Sequence, residues 1–276
     1  MTEMDFTTRE EATGEVCPVC GEKLMERVTV VAGRQFRHRM ECSCDKQRRA
    51  EEQQREYSEG LRKLRGAARR VSGIPSRYQT GSLSRLGHDL REGQEAAHRA
   101  LCEFYSEWQK DRHTTGVLLV GATGCGKSTF AAAAANDLID GYTFSEDDAL
   151  RCRRCGDPAH PFTPVYYVNV PMLFTELRNA MDEKSSAAEV MRKYSTVPVL
   201  ILDDLGAEYR SEYSRSVLLQ IIDYRWCERL PLIVTANARR LEDLEASTGE
   251  RGRDRLEAIC LPVPLSCPSQ RRLGGL

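Results

Sequence analysis

The sequence predicts an α/β fold in which a mostly parallel sheet lies between helical layers, with a small metal-stapled module ahead of it. Three observations carry this. From Thr115 onward, short apolar runs alternate with helical stretches, as strands buried on both faces and linked by crossover helices do. A glycine-rich loop joins the first of these runs to an alanine-rich segment. Residues 16–45 hold two close cysteine pairs and too little apolar mass to fold unaided.

Composition sets the outer bounds. The 276 residues are 41% hydrophobic and 29% charged, an ordinary balance for one or two globular domains. Lys and Arg number 40 against 41 Asp and Glu, a net charge of -1, so any basic surface must be local. No apolar run approaches the roughly 18 residues of a membrane span. The acidic, polar start does not read as a signal peptide. A cytoplasmic protein with no membrane partner is therefore expected. The 11 cysteines, odd in number and unevenly spaced, read as intracellular thiols, some of them metal ligands.

In chain order, residues 1–15 lack apolar periodicity and read as a flexible tail. Residues 16–45 form the zinc-binding module, with a short β-like run at Val28–Val31. Residues 46–71 read as a helix with one narrow apolar stripe through Tyr57, Leu61, Leu64, Ala68 and Val71, ended by Gly73 and Pro75. The Ser/Gly/Arg-rich stretch 74–90 reads as a linker, so 46–90 is expected to be basic helix and linker. The α/β domain follows over 91–276. It begins with an amphipathic helix near 91–111, a strand at Val117–Val120 and a helix over 127–140. Further strands are expected at 165–168, 197–202, 232–234 and 258–265. Helices are expected at 171–182, 186–194, 212–229 and 241–257. Residues 145–164 lie in a polar stretch, 141–164.

Cys17, Cys20, Cys42 and Cys44 make a C-x2-C … C-x-C pattern, which suits four thiolates around tetrahedral Zn²⁺. Cys152, Cys155 and His160, inside that polar stretch, supply part of a second zinc site. Cys102, Cys227, Cys260 and Cys267 read as small buried hydrophobes, and His38 as a surface residue.

Gly121-Ala122-Thr123-Gly124-Cys125-Gly126-Lys127-Ser128, followed by Thr129, matches G-x-x-x-x-G-K-[ST] between a strand and a helix. Glycines let the backbone curl so that its N–H groups face one point, and the helix adds its positive end. Lys127 is placed to reach the β- and γ-phosphates of ATP, and Ser128 to ligate Mg²⁺. Val199–Asp204 is an apolar strand ending in two acids at the carboxyl edge of the sheet. Asp203 is the candidate to hold Mg²⁺ and Asp204 to polarise the attacking water.

At these residues the chain resembles the AAA+ ATPases of the DnaC/DnaI helicase-loader and IstB transposition-helper group. Ile74-Pro75-Ser76-Arg77-Tyr78 is similar to a segment preceding the ATPase domain there, and GATGCGKS and LILDDLG (200–206) to its Walker motifs. The resemblance implies an AAA+ three-layer parallel sheet, and it makes 145–164 an insertion between the helix after the glycine-rich loop and the next strand. It makes Asn237, in LIVTANAR, the polar sensor. It makes Arg255, in GERGRDRL, the arginine finger for a neighbouring subunit's ATP, with Arg251 and Arg253 as competitors. It makes Arg271, in Ser269-Gln270-Arg271, the second sensor. A trans finger implies self-association through the ATP interface. The resemblance also implies single-stranded DNA along 171–196, where Arg178, Lys184, Arg192 and Lys193 lie, and a replicative helicase as partner. Asp204 stands where the wider class prefers Glu, which suits slow hydrolysis, stimulated by DNA or a partner.

The leading expectation is an ATP-dependent replicative helicase loader acting in replication initiation. The alternatives are an IstB-like transposition helper, a P-loop small-molecule kinase with a zinc-stapled lid, and an ATP-gated adaptor with negligible turnover.

Overall fold

The computed structural model describes residues 6–145, 148, 162–182, 187–207, 211–238 and 240–267. The chain divides into two compact units, Met1–Lys63 and Leu64–Leu276.

The first unit is an antiparallel sheet of β1 (Phe6–Val16), β2 (Lys23–Val31) and β3 (Arg34–Arg39), with β2 in the centre. The expected tail is thus corrected over residues 6–15. Residues 6–12 pair with β2 in continuous register, Thr8 opposite Thr29 and Arg9 opposite Val28. The strand was illegible because it lacks alternating apolar residues and is held by ladder hydrogen bonds and ion pairs such as Arg27–Glu10. The β2–β3 turn is Ala32-Gly33, both at positive φ (48° and 80°), as a two-residue hairpin requires. Leu24, Val28, Cys17 and Cys42 are buried. Helix α1 (Ser43–Val71) begins in this unit and ends in the next. Its expected apolar stripe is covered only toward its end: Tyr57 is exposed and Ala68 buried.

The second unit holds a five-stranded parallel sheet of β4 (Gly116–Gly121), β5 (Val165–Asn169), β6 (Val199–Leu205), β7 (Leu232–Ala236) and β8 (Cys260–Leu265), in the order β5-β6-β7-β4-β8. Alternation sorts its side chains into two cores. Val117, Leu119, Val199 and Ile201 face α3 (Glu95–Lys110) and α4 (Lys127–Asp140). Leu118, Val120, Leu200 and Leu202 face α5 (Val170–Asp182), α6 (Ala187–Thr196) and α7 (Glu212–Cys227). Helix α8 (Glu245–Ile259) packs on α7 and is broken at Gly249 (φ 73°). The result is the three-layer α/β architecture. The run Ala131–Ala135 is buried on α4, where small side chains let the helix lie close to the sheet.

The stretch expected to be a linker, 74–90, is part of this unit. It forms a short 3-10 turn (Ser76–Tyr78) and α2 (Leu83–Gly87), and it buries Ile74 and Leu83. Its backbone is met by polar groups of α4. Asn136 Nδ2 donates to Tyr78 O (2.7 Å) and Gly81 O (2.9 Å), and Leu83 N donates to Asp137 Oδ2 (2.8 Å). The polar composition reads as a linker because α4 supplies these partners from far along the chain.

Candidate nucleotide site and cysteine cluster

The glycine-rich loop leaves β4 and enters α4 with Gly124 (φ 88°) and Gly126 (φ 101°) in the left-handed region that favours glycine. Gly121 is needed for a different reason: a Cβ there would lie 2.3 Å from Leu265 O. Gly126 caps α4 with no side-chain hydrogen bond, so the first turn presents backbone N–H groups, the donor set an anion needs. The loop is anchored from beneath. Cys125 is fully buried, and its carbonyl accepts from Gln94 Nε2 (2.9 Å) and Cys267 Sγ (3.1 Å). Neither anchor carries a sequence signal for this role; Cys267 is buried, as expected. Ala122 and Thr123 are exposed, while Ser128 and Thr129 are half-buried.

Lys127 is 6% exposed. Its Nζ donates to Gly121 O (2.9 Å), Ala122 O (2.9 Å) and Asn237 Oδ1 (2.8 Å). Asn237 in turn donates through Nδ2 to Asp204 Oδ1. Three residues from three segments of the chain, each named by its motif, therefore meet at the carboxyl edge of the sheet. Asp203 is buried and accepts from Thr235 Oγ1 (2.6 Å); Asp204 N donates to the same hydroxyl (2.9 Å). Asp204 has φ 63°, left-handed for a non-glycine residue. Tyr167, on β5, is buried, and its phenol is pushed above its ordinary range by burial and then by the nearby charge of Asp203. The roles of Thr235 and Tyr167 were missed by sequence reading: in LIVTANAR only Asn237 stands out, and a threonine or tyrosine inside an apolar strand gives no signal of its own. The loop and donor set fit a nucleotide's phosphates, and the Ser128 and Asp203 oxygens fit Mg²⁺ by chemistry.

Arg255 lies outside this cluster. Its Nε donates to Asp223 Oδ1 (3.1 Å), and its guanidinium stacks 3.6 Å from the centre of the Trp226 ring. Arg251 also pairs with Asp223 (3.0 Å), while Arg253 pairs with Asp254 (2.9 Å). The Arg255 hydrogen bond most of all, and then Arg251, hold the Asp223 carboxyl below its usual range. Arg271 lies outside the described residues, as do Lys184, Cys152, Cys155 and His160. Of the remaining basic residues on α5 and α6, Arg178 and Arg192 are exposed. Lys193 pairs with Glu176 (2.8 Å) and sits over the rings of Tyr166 and Tyr194.

In the first unit, one ligand atom from each of Cys17, Cys20, Cys42 and Cys44 lies within 4.8 Å of the others. Cys17 Sγ is 3.5 Å from both Cys42 Sγ and Cys44 Sγ. Backbone N–H groups of Cys20 and Val19 bring the Cys17 thiol down to about 6, while Cys44 is held above its ordinary value by hydrogen bonds with Cys42 and Cys17, and Cys42 is also raised. The four-thiol set fits Zn²⁺. His38 is exposed on β3. Cys260 is buried as expected, whereas Cys102 is only half-buried and Cys227 is exposed at the end of α7, so for these two the expectation is corrected.

Arg225, on α7, is fully buried and was not anticipated. Its guanidinium donates to five carbonyls, those of Tyr194, Ser195, Val197, Pro198 and Pro231, at 2.7–3.2 Å. It ties the end of α6 to the starts of β6 and β7.

Residues 117–258, just over half of the chain, match the family described as "ATPase family associated with various cellular activities (AAA)". The chain is 29% identical over 178 residues to a protein named for ATP binding from insertion sequence IS1162 of Pseudomonas fluorescens, covering 64% of this chain and 63% of that protein. It is 26% identical over 143 residues to the replicative helicase loader DnaI of Bacillus subtilis, covering 51% and 39%. It is 24% identical over 186 residues to the replicative helicase loader DnaC of Escherichia coli, covering 67% and 66%. The matched stretches span less than two thirds of each relative's own length. Among solved structures, the DnaC helicase loader superposes with a TM-score of 0.55 at 22% identity, covering 70% of this chain and 100% of that one. DnaI superposes with a TM-score of 0.53 at 25% identity, covering 70% and 95%. The DnaC likeness is one of fold.

Proposed function

The chain belongs to the AAA family of ATPases by its match over residues 117–258, and on that premise we propose that it is an ATP-dependent loader of a replicative helicase. The observation that carries this reading is the junction of Lys127, Asn237 and Asp204 in a chain whose relatives include DnaC and DnaI. Lys127 is held at the loop by acceptors that a phosphate can replace, so binding exchanges carbonyl partners for charged ones, and charge-assisted hydrogen bonds are the stronger. The loop N–H groups and the start of α4 orient the phosphates. Ser128 and Asp203 would hold Mg²⁺, which neutralises phosphate charge when bound. Asp204 accepts a proton from, or orients, the attacking water, and Asn237 fixes its carboxylate. Asp204 is shorter than the Glu that the wider class prefers, which accords with slow turnover released by DNA or a partner.

Arg255 is the candidate finger toward a second copy, held by Asp223 and Trp226; Arg251 is its competitor on the same carboxylate. Exposed Arg178 and Arg192 are the better DNA candidates, because Lys193 is already neutralised by Glu176. The cysteine cluster binds zinc in this reading, and the first unit docks the helicase. A transposition-helper role is the second reading, favoured by the 29% identity to the insertion-sequence protein.

The test of the chemistry is phosphate release from ATP with and without single-stranded DNA, with all nucleotide products resolved. The reading expects DNA-stimulated release of phosphate and ADP only, abolished by Lys127→Ala. A phosphorylated acceptor would replace it with the kinase reading. Absence of turnover under all conditions would replace it with the ATP-gated adaptor.

A further inference from the structure

Thr235 lies on β7, two residues before Asn237 and one strand away from both acids of β6. It is 1% exposed. Its hydroxyl has one proton, which it donates to Asp203 Oδ1 at 2.6 Å. Its oxygen accepts the Asp204 N–H at 2.9 Å. A single hydroxyl therefore uses both of its roles on the two adjacent acids, and the two contacts do different things. The donated bond fixes the rotamer of a buried carboxylate and occupies part of one oxygen. The accepted bond holds the Asp204 backbone, which carries the left-handed φ of 63°. That turn of the backbone aims the Asp204 side chain at Asn237 rather than along the alternation of the strand. A hydroxyl does both from one atom, donating its proton and accepting through a lone pair.

We propose that Thr235 is the positioning residue that sets both acids of the site, orienting Asp203 for Mg²⁺ and Asp204 for the water. This rests on the hydrolysis reading above but goes beyond it, since neither the motifs nor the resemblance names Thr235. An outer hydrogen bond of this kind around a metal-holding carboxylate typically governs a 10–100-fold range in metal affinity or activity.

The experiment compares Thr235→Val, which keeps shape and loses the hydroxyl, with Thr235→Ser, which keeps the hydroxyl and loses the methyl. Both are read in the full chain by the Mg²⁺ concentration for half-maximal turnover, kcat and KM for ATP, and nucleotide affinity with Mg²⁺ present and chelated. Thr235→Val is expected to raise the Mg²⁺ requirement and lower kcat by about tenfold or more. Nucleotide affinity without Mg²⁺ should stay unchanged, and Thr235→Ser should recover most of the loss. A merely structural threonine would change the urea midpoint and leave the Mg²⁺ dependence alone. A wild-type Mg²⁺ dependence in folded Thr235→Val, or a Thr235→Ser variant no better than Val, overturns the proposal. If the parent chain shows no turnover, the hydrolysis reading has failed separately. The inference is then decided by whether Thr235→Val loses the Mg²⁺-dependent part of nucleotide affinity.

Discussion

Asn237 stands between Lys127 and Asp204, accepting from the lysine through Oδ1 at 2.8 Å and donating to the carboxylate through Nδ2. One amide thereby reads the group that meets the phosphates and the group that acts on water. Asn237→Asp keeps an acceptor for Lys127 and loses the donor to Asp204. The expected result is near-normal nucleotide binding with turnover reduced by about 100–1,000-fold, the range for losing one positioned donor. Equal loss of binding and turnover would mean that the amide serves Lys127 alone.

Arg225 should dominate the stability of the second unit among single polar residues. Arg225→Met leaves four buried carbonyls and the half-buried one of Pro198 short of a donor, and each buried group costs about 1–3 kcal/mol when unsatisfied. Relaxation will recover part of this, so a fall of at least about 3 kcal/mol in unfolding free energy is expected from urea titration. Arg225→Lys, with one ammonium for several acceptors, should fall in between.

The Asp223 contacts predict an acid-sensitive contribution. Its folded pKa is held below the ordinary 3.8 by Arg255 and Arg251. A depressed acid stabilises the folded state above its unfolded pKa and loses that contribution as pH falls through the folded one. The difference in urea midpoint between the parent chain and Asp223→Asn should therefore be constant from pH 5 to 8 and shrink steadily as pH falls below the ordinary 3.8. A difference that persists at low pH would assign it to packing on Arg255 rather than to charge.

Zinc removal should act on the first unit alone. With the four thiols gathered and only Leu24 and Val28 as buried non-cysteine apolar side chains there among the described residues, the zinc reading makes the module depend on its metal. A chelator is expected to abolish the β1–β3 signal in hydrogen exchange and to leave ATP turnover within about twofold, because metal-coupled folding is local to the ligands. Metal analysis also counts the sites: a second equivalent that survives Cys42→Ser would belong to Cys152, Cys155 and His160.

Much of this was legible because its signals are local. The helix 127–140 and the first four strands of the parallel sheet follow from apolar periods and from glycine at fixed offsets, and the observed ranges agree within a few residues. What was not legible depends on partners distant in sequence. Strand β1 is polar and exists by pairing with β2. The 74–90 segment is ordered by Asn136 and Asp137. Thr235 matters only because β6 places two acids beside it. Arg225 looks like any helix arginine until α6 and two strands turn their carbonyls toward it.

The measurement that bears most directly on the loader reading is an affinity pull-down from source-cell extract with Asp204→Asn protein in ATP. The substitution keeps a side chain for Asn237 to meet and removes the carboxylate that would act on water, so the ATP-bound complex should persist. The account predicts recovery of a hexameric replicative helicase, lost when the Cys17–Cys44 cluster is disrupted. Recovery of a transposase, or of DNA with no helicase, would contradict it and move the protein to the transposition helpers.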